Sequence, residues 1–111
     1  MRNLRFDVLL THGAEDDIVS LLTYLAENQT VEDADYVAGK LKQVILSLGE
    51  TPERGHAPPE LERVHVTGFL QVHFKPYRII YQLEGTCVYV FCVLDGRRDI
   101  ESVLRRRLLS R

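Results

Sequence analysis

The sequence predicts an α+β domain: an N-terminal strand, an antiparallel helical hairpin packed on a small, mainly antiparallel sheet, and a C-terminal helix. Two stretches within residues 14–48 repeat apolar side chains at helical spacing. From residue 63 onward the apolar period changes to two, which indicates strands. The run 87–94 is apolar at every position, as in a central strand covered on both faces. The order β-αα-βββ-α and the length of 111 residues fit a single domain over residues 1–111.

The N-terminal half is expected to contain one strand and two helices. The apolar run Phe6–Leu10 is long enough for a short strand, and from Ala14 the spacing is that of an amphipathic helix. Thr30, followed three residues later by an aspartate, is a suitable N-cap for a second helix, which Gly49 is placed to end. The short break between the helices predicts an αα-hairpin. Gly39, in mid-helix, indicates close approach of the first helix.

The C-terminal half is expected to form three antiparallel strands and a helix. Residues 50–62 predict a loop because prolines and a glycine occur there among charged side chains. Strand periodicity begins at Arg63. The spacing of the last apolar residues predicts a helix that docks through Ile100, Val103, Leu104 and Leu108.

The expected turns determine which side chains share a face of the sheet. Two-residue turns at Glu84-Gly85 and Pro76-Tyr77 would pair His73 with Ile80. The apolar face, which would receive the helical hairpin, then holds Val72, Phe74, Ile79, Tyr81, Val88, Val90 and Cys92. The opposite, open face holds Gln71, His73, Lys75, Arg78, Gln82, Tyr89 and Phe91.

Basic and aromatic side chains on that open face suit a phosphorylated or acidic partner. Other interpretations stay open at this point. Tyr89 and Phe91 could lie beneath the C-terminal helix, and Arg78 could bond the sheet edge or a loop carboxylate. The segment Arg97–Asp99 could form a salt bridge with the helix that follows. His73 is a candidate proton carrier because its unperturbed pKa lies near neutrality.

Charge is distributed unevenly along the chain. The formal net charge is −2, which argues against coating of nucleic acid by charge alone. Residues 1–50 carry nine acidic and four basic side chains, whereas residues 51–111 carry seven acidic and ten basic ones. The segment 97–111 holds six arginines, whose planar guanidinium groups match carboxylates and phosphates. A solvated helix face is the simpler explanation of that run.

Several function classes find no support in the sequence. Cys87 and Cys92, five apart on one strand, would point to opposite faces, so neither a disulfide nor a two-cysteine zinc site is expected. No glycine-rich phosphate loop and no metal-ligand spacing occurs, so no cofactor and no small-molecule substrate are expected. The longest apolar run has eight residues and the N-terminus lacks a signal-type segment. We therefore expect a cytoplasmic protein without membrane contact.

Several short motifs occur along the chain in a definite order. They comprise Ala14, Asp17-Ile18, Leu48, Pro52, Gly55, Pro76-Tyr77-Arg78-Ile79-Ile80-Tyr81, Val88 and Val93-Leu94-Asp95-Gly96-Arg97-Arg98-Asp99. In this order and spacing the chain resembles the RelE/ParE superfamily of toxins from bacterial type II toxin–antitoxin systems. The resemblance covers nearly the whole chain.

The resemblance implies a small toxin that a cognate antitoxin neutralises, with two possible activities. A ParE-like toxin inhibits DNA gyrase by binding it, and the long arginine-rich C-terminal helix looks closer to this branch. The alternative is a RelE-like endoribonuclease that cuts messenger RNA on the ribosome. For that alternative the resemblance implies catalytic roles for Arg78 and Arg98, and His73 is the candidate general base or acid. Whether the chain is an enzyme stays open, with a non-enzymatic inhibitor favoured.

The chain departs from the ribonuclease pattern in two places. The paired lysines of the second strand would fall near Gln71 and His73, and the C-terminal tyrosine or histidine would fall near Leu104. His73 is left as the main proton carrier, whereas RNA cleavage needs two proton transfers. We expect the hairpin 77–94 and the C-terminal helix to form much of the antitoxin groove. The expected partner-binding residues are Lys75, Arg78, Tyr89, Phe91, Arg97, Arg98 and Arg105.

Overall fold

The computed structural model describes residues 5–97 and 99–109. In chain order the elements are β1 (Asp7–Leu10), α1 (His12–Asn28), α2 (Val31–Ser47), α3 (Pro59–Glu62), β2 (Phe69–Phe74), β3 (Tyr77–Glu84), β4 (Cys87–Asp95) and α4 (Ile100–Leu109). The strands form one sheet in the order β1-β4-β3-β2. β1 runs parallel to β4, and the other pairs are antiparallel. The expected α+β fold is confirmed, with β1 as the parallel edge strand.

Both long helices begin at threonine caps. The Thr11 hydroxyl accepts from the Ala14 N–H at 3.2 Å, so α1 begins two residues earlier than the apolar spacing predicts. The Thr30 hydroxyl accepts from the Asp33 N–H at 2.9 Å, which confirms the predicted cap of α2. The expectation for Gly39 is wrong, because a Cβ there would meet no atom within 4 Å.

The strand predicted from Arg63 begins later, at Phe69. Pro59 starts the short helix α3 inside the expected loop, and a turn follows it. His65 at φ 60° and Gly68 at φ 93° both have left-handed backbone conformations, which a continuous strand excludes. The chain therefore reaches the sheet six residues after the change of period.

Both predicted turns are wrong by one residue. Glu84 pairs with Cys87, so the turn residues are Gly85 and Thr86, and Gly85 has the positive φ of 62° that glycine favours. At the other turn Phe74 pairs with Tyr77 around Lys75-Pro76. Proline has no N–H to donate to a strand ladder, so Pro76 lies in the turn and Tyr77 in the strand.

The corrected register places His73 opposite Arg78 instead of Ile80. A bulge in β4 changes the faces further, because Tyr81 pairs with Val90 while Ile80 pairs with Cys92. Cys92 thus lies on the face away from the helical hairpin, contrary to the expectation. Cys87 lies on that same face, so the two thiols do not point to opposite sides.

Two cores cover the two faces of the sheet. The larger core, between the helical hairpin and the sheet, contains Ala14, Leu41, Ile45, Leu48, Val72, Tyr77, Ile79, Tyr81, Val88, Val90 and Val93. The smaller core, beneath α3 and α4, contains Leu61, Ile80, Cys92, Leu94, Ile100, Val103 and Leu104. The face expected to be open is therefore covered in part. Within the described residues, no helix has both the length and the apolar character needed to cross a bilayer.

Tyr81 and Gly55 hold the loop after α2 against the sheet. The Tyr81 hydroxyl donates to the Pro52 carbonyl at 2.8 Å and accepts from the Gly55 N–H at 3.1 Å. A Cβ on Gly55 would lie 2.6 Å from the Gln71 carbonyl oxygen and 2.7 Å from the Tyr81 hydroxyl. Only glycine allows this close approach between loop and strand.

Two glycine substitutions should therefore have opposite effects on stability. Gly55→Ala should lower the free energy of unfolding by about 2 kcal/mol, because backbone atoms must move to admit the methyl group. Gly39→Ala, in open space on α2, should raise it by about 1 kcal/mol. Urea unfolding followed by circular dichroism measures both. A Gly55→Ala protein as stable as the wild type would contradict the packing described here.

Candidate functional site

Arg78 is held in a buried ion pair. Its Nε donates to Gln71 Oε1 at 2.7 Å, and its two terminal nitrogens donate to the Glu60 carboxylate at 2.7 and 2.8 Å. The Arg78 and Glu60 side chains are 10% and 16% exposed. The Arg78 guanidinium therefore binds a carboxylate within residues 50–62, the segment predicted as a loop. This ion pair attaches α3 to the sheet. His73 faces Arg78 across the strands and is exposed.

A second ion pair joins three elements beyond the end of β1. β1 ends at Leu10, whereas β4 continues, and the Val93 N–H donates to the Asp17 carboxylate at 3.0 Å. Arg107 donates to the same carboxylate at 2.7 and 3.1 Å and to the Phe91 carbonyl at 3.3 Å. Side chains thus bind backbone groups on the edge of β4 that β1 no longer covers, while β3 pairs with the other edge.

In the sequence, Asp17 stands out only as one of the motif residues of the family resemblance. The position of Asp17 in its helix could have indicated a buried role. Asp17 lies four residues before Leu21, on the helix face that packs against the sheet. An acid on that face requires a buried partner. The partner, Arg107, is 90 residues away in the sequence, and no local pattern identifies it.

The remaining basic candidates differ in their surroundings. Arg97 donates to the Asp95 carboxylate at 2.9 and 2.6 Å, and this hydrogen bond raises the pKa of Arg97. Arg97 therefore binds Asp95 at the end of β4, and not the helix that follows, which was the alternative left open by the sequence. Arg105 pairs with Glu101 on the surface of α4 at 3.0 Å. Arg98 lies outside the described residues.

Tyr89 and Phe91 lie on the face away from the helical hairpin. Phe91 packs edge-on against Phe69 at 5.5 Å between ring centroids and borders the smaller core. Cys92, next to it, is buried, and burial raises the pKa of its thiol to about 11. The thiol is therefore protonated near neutral pH and is a poor nucleophile. Among the described residues, no cluster of three His, Cys, Asp or Glu side chains could hold a metal ion.

A cleft of about 700 Å³ opens between α1, α2 and the end of the sheet. Aromatic rings form much of its wall. The ring centroid of Phe74 lies 6.4 Å from that of Tyr36 and 6.2 Å from that of Tyr77. Tyr24 and Tyr36, from the two helices, are each 61% exposed. Sequence reasoning missed both tyrosines, although each lies outside the apolar stripe of its helix, where a large ring has no core to fill.

Charged side chains line this cleft as well. Lys75, in the β2–β3 turn, forms no ion pair within the described residues, and Arg97 lies nearby at the end of β4 with its side chain 76% exposed. Asp33, at the start of α2, lies in the wall formed by the helices. Exposed tyrosines beside cationic groups are typical of protein-binding surfaces.

The structure is that of a small α+β domain with an open, tyrosine-lined cleft beside its helical hairpin. A family model described as the ParE toxin of type II toxin–antitoxin systems, parDE, matches residues 8–100. The chain therefore belongs to the ParE toxin family of type II toxin–antitoxin systems. This confirms the resemblance found in the sequence and the fold that it implied.

Individual relatives agree with this assignment. Toxin ParE3 of Caulobacter vibrioides is 24% identical over 100 residues, which cover 90% of this chain and 96% of that protein. The structure of a chromosomal ParDE toxin–antitoxin system from P. aeruginosa aligns with a TM-score of 0.67 at 13% identity, covering 80% of this chain and 94% of that one. The RelBE2 toxin–antitoxin complex of Mycobacterium tuberculosis aligns with a TM-score of 0.60 at 18% identity, covering 85% and 94%.

The Glu60–Arg78 pair should make stability depend on pH. The Arg78 hydrogen bond holds the pKa of Glu60 below its ordinary value of 4.5, so the unfolded chain binds this proton more readily than the folded one. The stabilisation is complete above about pH 4.5 and is lost as the pH falls through the lowered folded pKa. At neutral pH, Glu60→Gln should lower the free energy of unfolding by about 2 kcal/mol. Urea unfolding of both proteins across this range should show the difference shrinking in acid. A constant difference would contradict the ion pair.

Proposed function

We propose that this chain is a ParE-like toxin that inhibits DNA gyrase by binding and is neutralised by a cognate antitoxin. The observation that carries the proposal is the open, tyrosine-lined cleft on a domain that belongs to the ParE toxin family. A gyrase inhibitor of this kind acts in the cytoplasm, where the chromosome lies.

The ribonuclease alternative gains less support from the geometry. RNA cleavage needs groups that take and return protons near a charged clamp for the phosphate. Arg78, the expected clamp, already binds the Glu60 carboxylate with two nitrogens and Gln71 with a third. An incoming phosphate would have to break this ion pair, and His73 is the candidate proton carrier that lies opposite Arg78.

The cleft is our proposed antitoxin site. The 77–94 hairpin, expected to form much of the groove, is covered on both faces by the two cores along most of its length. Only its end, at Tyr77 and residues 93–95, borders the cleft. Tyr24 and Tyr36 offer rings to apolar side chains of a docked segment, and Lys75 and Arg97 offer cations to its carboxylates.

A supercoiling assay with purified DNA gyrase and relaxed plasmid tests the proposal. The toxin should block supercoiling as its concentration rises, because it binds the enzyme. The cognate antitoxin that this proposal expects should restore activity near equimolar amounts. Full gyrase activity at a large excess of toxin would contradict gyrase as the target. Cleavage of transcripts in cells expressing the toxin, abolished by His73→Ala, would then favour the ribonuclease.

The same assay locates the antitoxin site. Tyr24→Ala should still block gyrase but bind the antitoxin about tenfold or more weakly, because a central tyrosine is lost from the interface. Val19→Ala is the matched control, since Val19 is 64% exposed on the same helix and lies outside the cleft. Equal antitoxin affinity for the wild type and Tyr24→Ala would exclude the cleft as the site.

A further inference from the structure

The sheet face opposite the helical hairpin is only partly covered. α4 packs over Ile80 and Cys92, and the next row of side chains toward the β3–β4 turn lies at the border of the smaller core, against which Phe69 of that row packs. That row crosses all four strands, because Leu9 pairs with Tyr89, Tyr89 with Gln82, and Gln82 with Phe69. We call Leu9, Tyr89, Gln82 and Phe69 the aromatic strip.

The strip has the character of a binding surface. Leu9 is 45% exposed, and Tyr89, Gln82 and Phe69 are partly exposed. Phe69 is fixed by its edge-on contact with Phe91, so its ring is already positioned. Rigid aromatic side chains lose little conformational freedom when a partner binds.

Carboxylates border the strip on one side. The adjacent row pairs Asp7 with Cys87 and Cys87 with Glu84, so both acids lie on the same face as the strip. Asp7 and Glu84 are exposed, and neither side chain forms a hydrogen bond or ion pair within residues 5–97 and 99–109. Two free carboxylates beside an apolar strip favour a cationic partner and repel the phosphates of nucleic acid.

We propose that the aromatic strip binds a protein segment that carries apolar side chains and lysine or arginine, and that the toxin contacts its target here. The assignment rests on the proposed toxin function and adds a second surface to it. The strip and the cleft lie on opposite sides of the sheet, since the cleft opens between the helical hairpin and the sheet end. Substitutions in the strip can therefore be tested separately from substitutions in the cleft.

Growth arrest on expression in a bacterial host tests the strip without assuming a target, and the gyrase assay is run in parallel. Leu9→Ala, Tyr89→Ala and the double variant Asp7→Lys/Glu84→Lys should each weaken target binding by about 10- to 30-fold and relieve the arrest. Leu46→Ala is the matched control, because Leu46 is 48% exposed on α2 and lies outside both surfaces. Circular dichroism and unchanged antitoxin binding verify that each variant is folded.

Each outcome has a defined meaning. Strip variants that lose toxicity but keep antitoxin affinity would support the assignment, and they would do so even if gyrase proved not to be the target. Strip variants as toxic as the wild type would overturn the assignment and leave the proposed function intact. A wild-type chain that causes no growth arrest would overturn both.

Discussion

The ion pair between Asp17 and Arg107 joins the three parts of this fold. Asp17 comes from the helical hairpin, Arg107 from the C-terminal helix, and both bond backbone atoms of β4 where β1 has ended. The Asp17 and Arg107 side chains are only 11% and 30% exposed, so solvent weakens their interaction less than at the surface. A buried carboxylate without this partner would cost several kcal/mol. The position of α4 over the sheet therefore depends on this contact.

The positions of the open surfaces follow from that arrangement. The extra residue in β4 lets one strand supply Val88, Val90 and Val93 to one core, and Cys92 and Leu94 to the other. The two cores together bury most of the central hairpin. What stays open is the cleft beside the helical hairpin and the strip near the β3–β4 turn. These are the two surfaces to which we assign the antitoxin and the target.

Local patterns in the sequence predict the elements but not how they meet. Helical spacing and the Thr30 cap identify α1 and α2, and the change of period identifies the meander, because these signals lie within a few residues of each other. Register depends on which residues occupy the turns, and one misplaced turn residue moves His73 from Arg78 to Ile80. The bulge in β4 has no sequence signature here, and it reverses the face of Cys92.

The candidate site was harder to predict because it depends on long-range partners. Charge alone identifies Lys75 and Arg97 as candidates, and both line the cleft. The carboxylate that binds Arg78 lies 18 residues away, in a segment that predicts only a loop. Many residues that carry the family resemblance hold the fold together: Asp17 at β4, Gly55 against Tyr81, and Arg78 beneath α3. Resemblance therefore identified the family more reliably than the binding surface.

A double-mutant cycle on Asp17→Asn and Arg107→Gln tests the central claim most directly. Free energies of unfolding of the wild type, both single variants and the double variant should give a coupling energy of about 1–3 kcal/mol. The exposed Glu101–Arg105 pair on α4 provides the matched cycle, with an expected coupling of about 0.5 kcal/mol or less. Additive effects of the Asp17 and Arg107 substitutions, to within about 0.3 kcal/mol, would show that this contact does not hold α4 in place.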